Sequence, residues 1–425
     1  MLLLGAAGFG AASLLAAAAP DPGVLIAARA LTGLAGAALM PATLSLIRVM
    51  FTAPGQLAVA TGIWTASFSL GGLAGPLVGG TLLDHAGWRA VFLVAVPVML
   101  LLLLAGPRLL PESRSPDAAR PDPLSAVLCL AAVLLAVHGL KTLAQDGPAS
   151  WTWPASMLAG AGLAALFVRR QRRLPHPFVD GDLLRRSAFR VPVATIAVTF
   201  FTLYAHQLLV AQYLQLVLGL SAFVAGLWTL PSVLAFLGGS LLTPLARRFS
   251  PARVVAVGAG LTVVGFAVMV AVGTGSGLAP YLVGSIVLSA GLAPLYAVGT
   301  MSAISAAPPQ QAGVASAVSE TGAELGGALG IAVLGSLGTA VYRAQVAAGL
   351  PDGAPPAASE AARRTLGEVV TAADTLPSAL GRSLDEAART AFVEGFRVVS
   401  TVSTGVLLVM ALVAVPLLRR LAARP

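Results

Sequence analysis

Long, continuous apolar runs constrain this chain more than any other feature of its sequence. A helix that crosses a bilayer core of about 30 Å needs roughly twenty mostly apolar residues, and twelve such runs occur in the 425 residues. Because the runs are continuous rather than alternating, an all-α integral membrane fold is expected. The predicted spans are residues 1–20, 23–48, 58–84, 88–107, 123–145, 152–170, 190–217, 222–246, 252–273, 278–304, 312–341 and 396–420.

The composition agrees with a chain that has lipid as its solvent. Hydrophobic residues make up 57% of the sequence and charged residues only 10%, whereas soluble domains carry about 25% charged residues. The first run follows Met1 without a basic segment, so we interpret it as a retained span rather than a signal peptide. The single cysteine, Cys129, excludes an internal disulfide and a thiolate metal site. The sequence has no GxxxxGK[ST] loop for ATP, and we expect no cofactor and no metal.

Arginine clusters between the spans predict the orientation. The net charge is +9, but Lys and Arg prefer cytoplasmic loops, so these clusters do not indicate nucleic acid. An even number of spans then places both termini in the cytoplasm. The arginines that support this topology are Arg169, Arg170, Arg172, Arg173, Arg185, Arg186 and Arg190, then Arg247, Arg248 and Arg253, and finally Arg419, Arg420 and Arg424.

The segment 342–395 is the one long loop predicted outside the membrane, and it carries more acidic residues than arginines. Its stretch SEAARRTLGEVVTAADTL has a helical composition. A structured hairpin therefore competes with a loosely ordered loop, which we favour from the sequence.

The third predicted span contains the run GGLAGPLVGG. It places Gly71, Gly75 and Gly79 at four-residue spacing, with Pro76 and Gly80 one position along. Small residues at this spacing let helices approach closely, and a proline weakens the hydrogen-bond ladder and allows bending. Ordinary helix packing explains the pattern as well as a gating role does.

A family resemblance enters with this motif. GGLAGPLVGG followed by DHAGWRAVFLVAVP resembles the antiporter motif of major facilitator drug exporters, and ARALTGLAGAALMPA resembles the preceding helix of that family. YLQLVLGLSAFVAGLWTLP and AGVASAVSETGAELGGALGIAVLGS resemble later segments of its fourteen-helix drug:proton antiporter branch. The resemblance implies a secondary transporter of the cell membrane, not an enzyme. It would exchange protons for lipophilic, cationic drugs by alternating access.

The resemblance also implies a division of the chain. In the family the GGLAGPLVGG motif lies in the fifth helix, so the first two family helices are expected to be missing here. The predicted parts are a partial four-helix bundle at 1–108, a two-helix insert at 109–172, an Arg-rich cytoplasmic linker at 173–189 and a six-helix bundle at 190–425.

Two carboxylates inside the span 312–341 are the leading candidates for coupling. Ionisable residues within a membrane are costly and usually face a cavity. Glu320 and Glu324 lie about 12 and 18 Å along a helix that begins near Ala312, and their spacing puts them on one face. Two such carboxylates should not both ionise readily, so a proton and a bound cation can compete for them. Gly322, Gly326 and Gly330 would let this helix pack and slide.

A third candidate for coupling is Arg29, about 9 Å inside the second span. The resemblance matches it to a family arginine implicated in proton transfer. Snorkelling of the side chain to the interface explains its position equally well.

A substrate cavity is predicted from polar and aromatic residues within spans. The polar set in the seventh span fits a cavity lining better than a lipid face, and aromatic rings can hold a lipophilic cation. A structural histidine and ordinary aromatic packing are the alternatives. The polar candidates are Tyr204, His206, Gln207, Gln212, Tyr213 and Gln215, and the aromatic candidates are Trp64, Phe68, Phe200, Phe201, Trp228 and Tyr296.

Three hypotheses remain open at this point. The leading one is a monomeric drug:proton antiporter whose partners are a small lipophilic substrate, protons and the bilayer. The second is a membrane protein that has lost transport and senses ligands. The third is a complete six-plus-six facilitator for another small molecule, which a contact map with spans one to six in a closed bundle would favour.

Overall fold

The computed structural model describes residues 2–51, 53–110, 122–147, 149–174, 181–241, 250–308, 312–351 and 353–422. Over these residues the secondary structure is helical, and no strand occurs in them. The chain divides into two compact units. Unit 1 comprises Met1–Ala119 and Ser221–Leu230, and unit 2 comprises Arg120–Leu220 and Pro231–Pro425.

Unit 1 contains five helices and the start of a sixth. Helix α1 packs on α2, α4 and α5, and α3 contacts α2 and α4. Asp21 is the N-cap of α2, and its carboxylate accepts a 3.0 Å hydrogen bond from the amide of Val24. Gly87, at a φ of 77°, allows the turn between α3 and α4. The helices are α1 (Leu2–Ala17), α2 (Pro22–Met50), α3 (Pro54–Ala86), α4 (Trp88–Leu93) and α5 (Ala95–Leu109).

Unit 2 contains the remaining helices, of which α9 continues as a π-helical turn at Tyr213–Val217. Helix α9 packs on α12, α13 and α16, and α11 packs on α12 and α16. The helices are α6 (Pro123–Asp146), α7 (Thr152–Gln171), α8 (Gly181–Arg185), α9 (Ser187–Gln212), α10 (Ala222–Leu241), α11 (Pro251–Met269), α12 (Ala279–Ser305), α13 (Ala312–Gly349), α14 (Pro356–Arg364), α15 (Leu366–Ala373) and α16 (Ser378–Ala422).

Eleven of the twelve predicted runs fall on one helix each and the run 88–107 falls on α4 and α5, which confirms the all-α membrane fold. Within the described residues, nine stretches are long and apolar enough to cross a membrane. The other three runs lie on α1, which has 16 residues, on α3 and on α7. The run predicted to reach 246 is helical to Leu241, and its last residues, like Arg247, Arg248 and Arg424, lie outside the described part.

The expectation of a loosely ordered segment at 342–395 is wrong. Helix α13 continues to Gly349, α14 and α15 follow, and α16 begins at Ser378. The short helices are amphipathic and bury Ala362, Leu366 and Val369, and Tyr342 donates a 2.8 Å hydrogen bond to the carbonyl of Ala362. This apolar face supplies the burial that holds the segment in helical form.

The two-helix insert belongs to unit 2, where α6 pairs with α7 and packs on α13. Arg170, in the last turn of α7, joins this helix to the start of α6. Its guanidinium donates hydrogen bonds of 2.8 and 3.0 Å to the two carboxylate oxygens of Asp122. That guanidinium, together with the Ser125 hydroxyl, holds the pKa of Asp122 well below its usual range. Because α6 and α7 lie in unit 2, the contacts do not favour the six-plus-six facilitator.

Candidate functional site

The candidate site of unit 2 begins with close contact between α9 and α13. A Cβ placed on Gly326 would overlap the carbonyl of Ala197, and one placed on Gly330 would overlap the carbonyl of Phe201. One placed on Gly322 would lie 3.2 Å from the Cγ1 of Val193. The three glycines therefore let the two backbones approach to contact distance.

Two tyrosines, one from α9 and one from α12, bind the two predicted carboxylates. The Tyr296 hydroxyl of α12 donates a 3.0 Å hydrogen bond to Oε2 of Glu320. The Tyr204 hydroxyl of α9 donates a 3.1 Å bond to Oε1 of Glu324. The ring of Phe200 lies between the tyrosines, with its centroid 5.3 Å from that of Tyr296 and 5.5 Å from that of Tyr204. The site thus combines two acids with three aromatic rings.

The two acids have different surroundings although they share one helix. Glu320 is half-buried, whereas Glu324 is exposed in the isolated chain. Within the part of the chain that the structure describes, neither carboxylate forms an ion pair with Lys or Arg. Each can therefore accept a proton or a bound cation without first losing a basic partner.

The predicted polar residues of α9 are not all part of this site. His206 is 4% exposed and packs between the rings of Phe266 and Phe396, at centroid distances of 5.0 and 5.4 Å. Neither ring nitrogen has a hydrogen-bond partner among the described residues. His206 therefore lies in the packed core of unit 2.

The remaining polar candidates of α9 have no described bond to the acids. Gln207 is exposed and Gln212 and Gln215 are half-buried. The Tyr213 hydroxyl donates to the carbonyls of Gly273 and Gly277, at 3.1 and 3.2 Å, which gives it a structural role.

The predicted site residues of unit 1 make separate local contacts. The guanidinium of Arg29 lies 5.7 Å from the ring centroid of Phe92, which is within the range of a cation–π contact. The Trp64 indole donates a 3.2 Å bond to the Thr43 hydroxyl. Trp228 is half-buried in unit 1, and the side chain of Phe68 lies outside the described part of the chain.

In the glycine motif of α3, Gly80 contacts the main chain of another helix closely. A Cβ on Gly80 would lie 2.6 Å from the carbonyl oxygen of Ala222 in α10, whereas a Cβ on Gly71, Gly75 or Gly79 meets no described atom within 4 Å.

Sequence reasoning missed Asp84, one helical turn after Gly80, whose carboxylate accepts hydrogen bonds from the first amides of α10. The sequence signal that could have pointed to it was its charge at the end of the predicted span 58–84.

Comparisons with known proteins show the family of this chain. The family model of the Major Facilitator Superfamily matches residues 1–331. The multidrug efflux pump LfrA of Mycolicibacterium smegmatis is 39% identical over 416 residues, which are 98% of this chain and 82% of that protein. The methyl viologen resistance protein SmvA of Salmonella typhimurium is 33% identical over 417 residues, covering 97% of this chain and 83% of that protein.

A solved structure agrees at the level of the fold. A bacterial homologue of the human lysosomal transporter Spinster, in an inward-facing and unoccupied conformation, aligns with a TM-score of 0.62. The alignment covers 96% of this chain and 82% of that one at 17% identity. The chain therefore belongs to the Major Facilitator Superfamily and is a multi-pass membrane transporter.

Proposed function

We propose that this transporter exports lipophilic cations in exchange for protons by alternating access. The observation that carries the proposal is the pair of carboxylates, Glu320 and Glu324, each held by one tyrosine hydroxyl beside the ring of Phe200. A carboxylate attracts either a proton or an organic cation, and aromatic faces add a cation–π contribution to the second. Competition between the two ligands for one site is a physical basis for exchange.

The names of the relatives agree with this substrate class. SmvA is described as a methyl viologen resistance protein and LfrA as a multidrug efflux pump. Methyl viologen and ethidium, both flat organic cations, are therefore suitable probes. We further propose that the protein acts as a monomer with both termini in the cytoplasm, as its arginine clusters indicate.

An efflux assay in cells tests the proposal. Expression of the full chain should lower ethidium accumulation, and dissipation of the proton gradient should restore it. Glu320→Gln and Glu324→Gln keep the size of the side chain but remove its charge, so each should abolish most of the efflux. Glu360→Gln, an exposed acid of α14 paired with Arg364, is the control and should leave efflux intact. Full efflux by the Glu320→Gln/Glu324→Gln double variant would refute the proposal.

A further inference from the structure

The end of α3 and the beginning of α10 are in backbone contact within unit 1. A Cβ on Gly80 would lie 2.6 Å from the carbonyl oxygen of Ala222, and one on Gly226 would lie 2.6 Å from that of Pro76. Glycine at both positions lets the two helices approach without side chains between them. Main chain therefore lies directly against main chain at this contact.

Asp84 adds a polar link to this contact. Its Oδ1 accepts a 3.0 Å hydrogen bond from the amide of Ala222, and its Oδ2 accepts a 3.0 Å bond from that of Phe223. The first amides of a helix have no partner within the helix, and negative charge is favoured there. Asp84 thus caps a helix that begins 138 residues later in the chain, whereas Asp21 caps its own helix.

Helix α10 is divided between the two units. Its residues Ser221–Leu230 group with unit 1, and the chain from Pro231 onward groups with unit 2. Pro231 lies inside the helix and has no amide hydrogen, so one intrahelical bond is missing where the grouping changes. The helix can bend at this point.

We propose that Asp84 is a releasable clamp, a positioning residue that holds the first turns of α10 on α3 in one transport state and lets them go in the other. The proposal rests on the alternating access proposed above. Release breaks two hydrogen bonds to an exposed carboxylate, and water can replace both of them. Asp84 therefore sets how long α10 stays docked and does not itself bind the substrate.

Cysteine labelling tests the clamp without depending on transport. Ala222→Cys is introduced in a Cys129→Ser background, which removes the only natural cysteine, and the rate of reaction with N-ethylmaleimide is measured in purified, full-length protein. Adding Asp84→Ala should raise the labelling rate about fivefold, in line with the loss of a helix cap. Asp84→Asn, which keeps one acceptor, should give an intermediate rate. Asp21→Ala removes a cap within α2 and should leave the rate unchanged.

A reversible cross-link supplies the second measurement. In the double variant Asp84→Cys/Ala222→Cys, oxidation should form a disulfide and stop ethidium efflux, and reduction should restore the efflux of the reduced variant. Any of three results would overturn the clamp. The labelling rates could be equal with and without Asp84, the disulfide could fail to form, or the cross-linked protein could keep its full efflux. If the unsubstituted protein exports no ethidium, the proposed function fails, while the labelling ratio still decides the clamp.

Discussion

The hydroxyl of Tyr296 donates a 3.0 Å hydrogen bond to Oε2 of Glu320, and this bond joins α12 to α13 at a predicted coupling acid. Glu324, one turn further along α13, receives its bond from Tyr204 of α9 instead. The two acids therefore form hydrogen bonds with two different helices, α12 and α9. Movement of either neighbouring helix would change the hydrogen bonding of one acid.

Removal of the two tyrosine hydroxyls tests this arrangement. Tyr296→Phe should lower ethidium efflux roughly tenfold, because a hydrogen bond to a charged group is lost at a half-buried acid. Tyr204→Phe should have a smaller effect, since Glu324 is exposed in the isolated chain whereas Glu320 is half-buried. Tyr213→Phe is the matched control in the π-helical turn that continues α9, because its hydroxyl donates to the main-chain carbonyls of Gly273 and Gly277. Equal efflux by Tyr296→Phe and the unsubstituted protein would contradict the role of this bond.

Glycine substitutions in α13 test the close contact with α9. Gly326→Ala forces a methyl group against the carbonyl of Ala197, and we expect it to cost at least about 2 kcal/mol or to prevent correct packing. Gly335→Ala is the control on the same helix, because its Cβ meets no described atom within 4 Å. Thermal unfolding in detergent, followed by size-exclusion fluorescence, should show a lower Tm for Gly326→Ala only. Similar Tm values for the two variants would show that the backbones are not in contact.

The position of His206 predicts a packing role without a hydrogen bond. Replacing a buried polar group that lacks partners with an apolar one is close to neutral or stabilising, so His206→Leu should keep its Tm and its ethidium efflux. His206→Lys should unfold the protein, since it places an unpaired charge between Phe266 and Phe396. Loss of efflux in a stable His206→Leu variant would instead assign the imidazole to transport.

The ion pair between Asp122 and Arg170 predicts a pH-dependent stability of the α6–α7 pair. The pKa of Asp122 is depressed in the folded protein, so its contribution is present above the unfolded value of about 4 and is lost as the pH falls below that value. Asp122→Asn should therefore lower the Tm at pH 7, and the difference from the unsubstituted protein should shrink as the pH falls below about 4. Glu360→Gln removes the acid of an exposed ion pair with Arg364 and should change the Tm little, both at pH 7 and below about pH 4. A constant difference across this pH range would contradict the assignment.

The sequence predicted the elements of this fold better than the contacts between them. Apolar runs located the helices because a membrane span must be long and apolar, and the predicted span 312–341 lies within α13. The same spacing argument placed Glu320 and Glu324 on one helix. It could not supply their tyrosine partners, which come from α9 and α12 and depend on the packing of three helices.

Tertiary packing explains what the sequence did not predict. The segment 342–395 reads as polar and loosely ordered, but packing buries one face of α14 and α15. For His206 the sequence left a cavity role and a structural role open, and the structure packs its ring against those of Phe266 and Phe396. Asp84 attracted no attention in the sequence because its partners are main-chain amides of α10, which carry no signature in the sequence.

Binding stoichiometry in detergent tests the central claim most directly. If proton and cation compete at Glu320 and Glu324, binding of ethidium to the purified protein should release protons, and the affinity for ethidium should fall as the pH is lowered. In the double variant Glu320→Gln/Glu324→Gln, both the proton release and the pH dependence should disappear. Proton release that persists unchanged in this variant would contradict the account.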